Sequence, residues 1–199
     1  MRLNWNIMDK PLQDKLQAWL ALKVNRGRFD HSLRVMETAP KLATAHGAAA
    51  EPLELAALVH DSARGMSDSE MLAAAGGWGL PVRPIDRSYP ILLHGRLAVE
   101  MVRSELEIDD PDVLSAVLYH TAGHPQMNLS DKLLFLADII EPARTIPRAG
   151  ELRKLAFEDV DRAMLVAIEI NREHLKARGR PMDPVTFELE QALKQRESA

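Results

Sequence analysis

Apolar residues recur at helical spacing along almost the whole chain, and no window alternates as a half-buried strand would. That feature restricts the chain to helices packed on helices. A first helix opens at Asp9 and Pro11, carries Leu12, Leu16, Trp19 and Leu20 on one face, and is stopped by Asn25 and Gly27. A second starts near Arg28, spaces Phe29, Leu33, Met36, Ala39 and Ala43 for one face, and stops at Gly47. Pro40 inside it is expected to kink or split it. The third runs from near Pro52 to about Gly65. "SDSE" at 67–70 reads as a capping box for a short helix ending at Gly76 and Gly77. Residues 76–90, rich in glycine and proline, read as an irregular loop.

A helix then spans about Gly95 to Leu106. Asp110 and Pro111 start the next, with Val113, Leu114, Val117 and Leu118 inward. "TAGHPQM" is a turn, and Ser130 opens "SDKLLFLADIIEP". Two long helices close the chain, from about Phe157 to Arg178 (ended by Gly179) and from about Asp183 to Arg196. No repeat or linker divides the sequence, so the expectation is one all-α domain over residues 1–199. Such a fold does not dictate a function, which must be read from a site.

Composition removes several options. There is no cysteine, so a metal would have to be held by His, Asp and Glu. The formal net charge of −4 argues against broad binding to a nucleic-acid backbone, while leaving room for a small phosphorylated ligand held by a local group of Arg and Lys. "MRLNWNIMDKPLQDK" lacks the apolar stretch of a signal peptide, and no apolar run reaches the length of a membrane span. The expected location is the cytoplasm, with no membrane partner.

One juxtaposition stands out. The apolar run "LELAALV" ends directly in His60 and Asp61. A carboxylate buried there costs several kcal/mol unless it is paired or binds a metal. The pattern repeats. His31 opens the second helix, His94 follows "PILL", His120 ends "VLSAVLY", and Asp138 sits within "LLFLADII". Imidazole and carboxylate suit iron, manganese, zinc or magnesium. Six such groups on five segments exceed what one open site needs and suit two metals sharing a carboxylate, with Asp61 placed to bridge. His46, before Gly47, reads as a helix-end residue and His174 as part of a solvated face. His124 is intermediate and expected to touch substrate. Trp78 and Tyr89 are candidates to stack on a base.

The order His31, His60–Asp61, His94, His120, Asp138 resembles the HD-domain metal-dependent phosphohydrolases. The flanking segments "RFDHSLRV", "LAALVHDSAR", "LLHG", "YHTAGHPQM" and "FLADIIEPAR" are similar to the branch of symmetrical bis(5'-nucleosyl)-tetraphosphatases, over roughly residues 26–195. The resemblance implies a single HD-domain helical bundle, with a metal-site core over about 26–145 and C-terminal helices over about 151–196. It implies two divalent metals, iron favoured over manganese, cobalt, zinc or magnesium, held by His31, His60, Asp61, His94, His120 and Asp138. It implies cleavage of diadenosine tetraphosphate into two ADP, and it allows a homodimer. Asp61, Arg64 and Arg144 are the expected catalytic residues, and Arg64, Arg96, His124 and Arg144 the expected substrate contacts.

Three positions depart from the family's habit. Arg64 stands where lysine is usual, His124 where arginine or lysine is common, and Pro40 within a helix usually unbroken. Arg64 keeps the charge but alters reach and geometry at a phosphate. The alternatives are a phosphohydrolase for another nucleotide, such as a dNTP or nucleoside monophosphate, and a non-catalytic nucleotide-binding HD module.

Overall fold

The computed structural model describes residues 10–197; the helix start expected at Asp9 lies outside them. Eleven α-helices are present among the described residues and no strand. They are α1 (Lys10–Ala21), α2 (Arg26–His46), α3 (Ala50–Val59), α4 (Asp68–Gly77), α5 (Pro84–Ser88) and α6 (His94–Leu106). There follow α7 (Pro111–Tyr119), α8 (Leu129–Ile140), α9 (Ala149–Glu158), α10 (Val160–Ala177) and α11 (Pro184–Glu197). Helices α2, α3, α7 and α8 pack on one another as the central bundle; α6 lies on α7, and α10 covers α8 and carries α9 and α11.

The caps explain most boundaries. Asn25 begins α2 rather than ending α1, because its side chain accepts from the Arg28 amide at 3.0 Å. Asn128 and Asp131 form a reciprocal capping box, so α8 starts at Leu129, one residue before the expected Ser130. Helix α2 runs unbroken through Pro40 and ends at Gly47 with φ +68°, so the split is not seen. The expected long helix from Phe157 is divided at Asp159, whose extended backbone (φ −150°) ends α9 and whose carboxylate caps α10. The loop expected over 76–90 instead holds α5 and a 3-10 turn at Pro90–Leu93, each started by a proline.

Leu20, Val35, Leu42, Leu58, Leu97, Val117, Leu133, Leu136 and Ile168 are fully buried. Each contributes roughly 1.5–3 kcal/mol from burial. Several of the buried polar residues, His60, His94 and His120 among them, lie at helix ends, and backbone fit brings these together. A β-carbon on Gly95 would stand 3.0 Å from both the Leu118 carbonyl and the Thr121 hydroxyl. The bare glycine lets the start of α6 close on the end of α7, which sets His94 against His120. One on Gly65 would meet the Lys23 carbonyl at 1.9 Å, so the chain leaving Asp61 passes hard against the α1–α2 connection.

Candidate metal centre

The third helix stops earlier than its sequence pattern suggests. α3 ends at Val59, His60 is its cap, and a 3-10 turn follows at Ser62–Gly65. Asp61, at φ −99° and ψ 13°, occupies the sparsely allowed bridge between helix and extended backbone. That turn aims its carboxylate across the bundle instead of along the helix.

Both Asp61 oxygens meet imidazoles. Oδ2 lies 3.4 Å from His60 Nε2 and 3.8 Å from His31 Nε2. Oδ1 lies 3.4 Å from His94 Nε2 and 3.6 Å from His120 Nε2. The residues therefore fall into two groups with ligand spacing, His31–His60–Asp61 and Asp61–His94–His120, sharing the one aspartate. All five are buried. Asp138 adjoins the first group, its Oδ1 2.8 Å from His31 Nε2, and is also held by Arg144 Nη2 at 2.8 Å. The structure thus brings together all six residues singled out from the sequence.

The imidazoles are oriented from behind. The Nδ1 atoms of His60, His94 and His120 contact the carbonyls of Ala57, Ile91 and Val117 at 2.6, 2.5 and 2.7 Å. A carbonyl only accepts, so each Nδ1 carries the proton and each Nε2 faces inward as a lone-pair donor. His31 Nδ1 is set 3.1 Å from Glu141 Oε1. The buried Nε2 atoms of His31 and His60 make no well-aligned hydrogen bond among the described residues, although they face the carboxylates of Asp138 and Asp61 at 2.8 and 3.4 Å. Buried polar atoms are rarely left so. Inward lone pairs, two carboxylates and no thiolate are the donor set of a divalent-metal site, so the residues present fit the ion.

Charge follows the same layout. Burial alone would push the Asp61 carboxyl up; the imidazoles of His60, His120 and His94 more than offset it and hold it well below the usual carboxylate range. Burial drives His120 down to about 4, with the neighbouring His60 and His94 reinforcing it, so it stays neutral at pH 7 and able to coordinate. Burial also opposes the charged form of His60, but the Asp61 carboxylate outweighs it and the net shift is upward.

The centre opens into a cleft of about 970 Å³, at the upper end of small-molecule sites. Arg64 lines it, its Nε 3.9 Å from Asp61 Oδ1, and so does Arg144. Two expected substrate contacts lie elsewhere. Arg96 is spent on Asp86 Oδ2 (2.6 Å) and the Pro81 carbonyl (2.6 Å). His124 stacks on Tyr119 with rings 4.8 Å apart, and its Nδ1 accepts from the Gln126 amide. Neither lines the cleft, nor does Trp78, whereas Tyr89 does. His174 is exposed as expected, yet its solvated face is one wall of the cleft.

Three residues were missed. Arg28 Nη1 is 2.7 Å from Asp61 Oδ2. Glu141 accepts from Arg34 at 2.6 and 3.1 Å while orienting His31. The Thr121 hydroxyl lies 3.1 Å from His94 Nε2. Helical spacing held the clue for two of them: Arg28 and Glu141 each stand three residues from a proposed ligand, His31 and Asp138, and so share its face.

Fold and site together define an all-helical protein built around a divalent-metal centre. The HD domain family model matches residues 28–143, and the chain belongs to that family. It is 33% identical to the symmetrical bis(5'-nucleosyl)-tetraphosphatase of Bacillus subtilis, over 88% of this chain and 94% of that protein. The protein of the same name from Halalkalibacterium halodurans is 36% identical over 80% and 85%, and that of Staphylococcus aureus 37% over 68% and 69%. Among solved structures, an HD superfamily hydrolase from Clostridium acetobutylicum, described as involved in NAD metabolism, superposes with a TM-score of 0.89. It is 33% identical, over 92% of this chain and 97% of that one.

Proposed function

We propose that this chain is a metal-dependent hydrolase that cleaves diadenosine tetraphosphate symmetrically into two ADP. The observation that carries the reading is the division of Asp61, with one carboxylate oxygen facing His31 and His60 and the other facing His94 and His120. A shared carboxylate between two imidazole pairs is the layout for two ions, and the relatives supply the substrate. Iron is the favoured metal and the cytoplasm the expected location, with no nucleic-acid or membrane partner; a homodimer is compatible with the reading and is not required by it. Among the described residues no helix is long and apolar enough to cross a membrane.

His31, His60, Asp61, His94, His120 and Asp138 would hold the ions. Bound there, divalent cations polarise a phosphate and acidify a water near neutral pH. The chain's own groups do the rest. The backbone carbonyls behind three imidazoles and Glu141 behind the fourth fix the rings before substrate arrives. Arg64 and Arg144 offer guanidinium donors to phosphate oxygens, where charge grows in the transition state. Arg144 also bonds both the side chain and the carbonyl of Asp138, so its planar head is pre-set beside the centre. Arg153 fixes that turn in place, donating to the carbonyls of Ile140, Glu141 and Arg144. Phe135, Ile139 and Leu92 line the cleft and limit water around the reacting phosphate.

Chromatography of the products formed in oxygen-18 water tests this. ADP alone, with label in one of each two molecules, is the expected result; equimolar ATP and AMP contradicts it. A panel that includes NAD-type dinucleotides, dNTPs and nucleoside monophosphates distinguishes this substrate from the others considered.

A further inference from the structure

The cleft has a second wall that the metal centre does not use. It is formed by the end of α10 and the connection to α11, and it presents Arg178 and Arg180 together with His174. Among the described residues neither Arg178 nor Arg180 makes a side-chain hydrogen bond or ion pair. This sets them apart from Arg64 and Arg144, which face carboxylates. Glu173 is an acid of the same wall, outnumbered by the two guanidinium groups. Asp183 is already neutralised: Arg83 grips both its oxygens, at 3.0 and 2.6 Å.

The wall is also built in place. The Arg180 amide donates back to the Leu175 carbonyl at 2.9 Å, and Gly179 takes the left-handed conformation (φ +62°) that this reversal needs. Three residues on, the Arg83–Asp183 pair pins the segment to α5. The buried Thr186 hydroxyl then donates to the Ala122 carbonyl at 2.7 Å, two residues past His120. The two arginines thus sit on a short segment fixed at both ends, one tie running to the turn that carries His120 and Thr121. With the backbone already fixed, an anion has to order only the two exposed side chains.

From this we infer that Arg178 and Arg180 bind the half of a dinucleoside polyphosphate that extends away from the metal centre, and so set the preference for long polyphosphates. The inference rests on the proposed function. Arg64 and Arg144 hold the phosphates at the metals; Arg178 and Arg180 hold the outgoing diphosphate and its nucleoside. The expected discrimination is that a tetraphosphate bridge engages both walls of the cleft and a nucleoside monophosphate only one.

The test uses the metal-loaded chain with Arg178→Ala and Arg180→Ala combined. KM for diadenosine tetraphosphate should rise about 10-fold or more, since charge-assisted hydrogen bonds are lost. The turnover number and metal content should stay near wild type. Calorimetric affinity for a methylene-bridged, uncleavable analogue should fall by a similar factor, and the double lysine variant should recover much of it. Arg26→Ala, which removes an exposed pair with Asp30, should change neither measurement. Unchanged KM and analogue affinity in the double alanine variant would overturn this inference alone. Wild-type protein that neither binds the analogue nor cleaves the substrate would sink the functional reading and this inference with it.

Discussion

Asp86 and Asp61 are two of several buried carboxylates, and their surroundings differ in kind. Asp86 is 0% exposed and is met by two guanidinium groups, Arg83 at 2.8 Å and Arg96 at 2.6 Å, the first of which continues to Asp183. Asp61 is 3% exposed and is ringed by four imidazoles at 3.4–3.8 Å, with Arg28 and Arg64 on its outer side. Guanidinium is always charged, so the Asp86 network is complete as it stands. Imidazole is a cation only when protonated and a ligand when neutral, so the Asp61 cluster is suited to taking up metal. Burial alone does not mark a functional carboxylate; the partner chemistry does.

The contrast breaks first at Asp61. Asp61→Ala should remove both ligand groups' shared member and lower hydrolysis by ~10³-fold or more. Bound metal should fall with it, by elemental analysis, while helicity is retained. Wild-type turnover in this variant would mean the site is misassigned. Asp86→Ala should show the opposite pattern. It leaves Arg96 without its carboxylate, while Arg83 keeps Asp183, and should cost about 1–3 kcal/mol in denaturant unfolding, yet the folded fraction should keep its metal. Loss of metal with unchanged stability would merge the two regions that we separate.

Glu141→Gln sharpens the first half of the comparison. It weakens the support behind His31 and the pairing with Arg34, and should reduce metal affinity about 10–100-fold without abolishing binding. Competition with a chelator measures this, and an unaltered affinity would reduce Glu141 to a structural partner of Arg34. The smallest effect concerns acid. Burial alone would raise the Asp86 pKa, but hydrogen bonds from Arg83 and Arg96 outweigh it and the net shift is downward. A depressed pKa gives stability that is present above the unfolded value, about pH 4, and lost as the pH falls through the folded value. Asp86→Asn should therefore be less stable than wild type at pH 6, and the gap should narrow toward pH 3. A gap constant with pH would show that the ion pairs contribute nothing through charge.

The same two regions show what a sequence can and cannot carry. The six residues proposed as ligands could be read because each interrupts or terminates an apolar helical run: His60, His94 and His120 at helix ends, His31 and Asp138 within α2 and α8, a pattern visible along one dimension. Asp61 could be picked out because a carboxylate that directly follows the apolar run "LAALV" and His60 is carried into the interior. Arg96 was drawn to the metal centre by its place beside His94. Its actual partner, Asp86, lay hidden in a stretch read as a featureless loop, where Pro84 in fact starts a short helix capped by that same aspartate. Pairings between distant segments, such as Arg83 with Asp183 or His31 with Glu141, leave no periodic trace. Arg178 was read only as the end of a helix closed by Gly179, and Arg180 drew no reading, because only the packing of α10 and α11 turns that end toward the cleft.

The central claim is that Asp61 is shared by two ions. Anaerobic purification followed by elemental analysis of fully active protein addresses it directly. Two divalent ions per chain is the predicted result. One ion or fewer per chain at full activity would contradict the account.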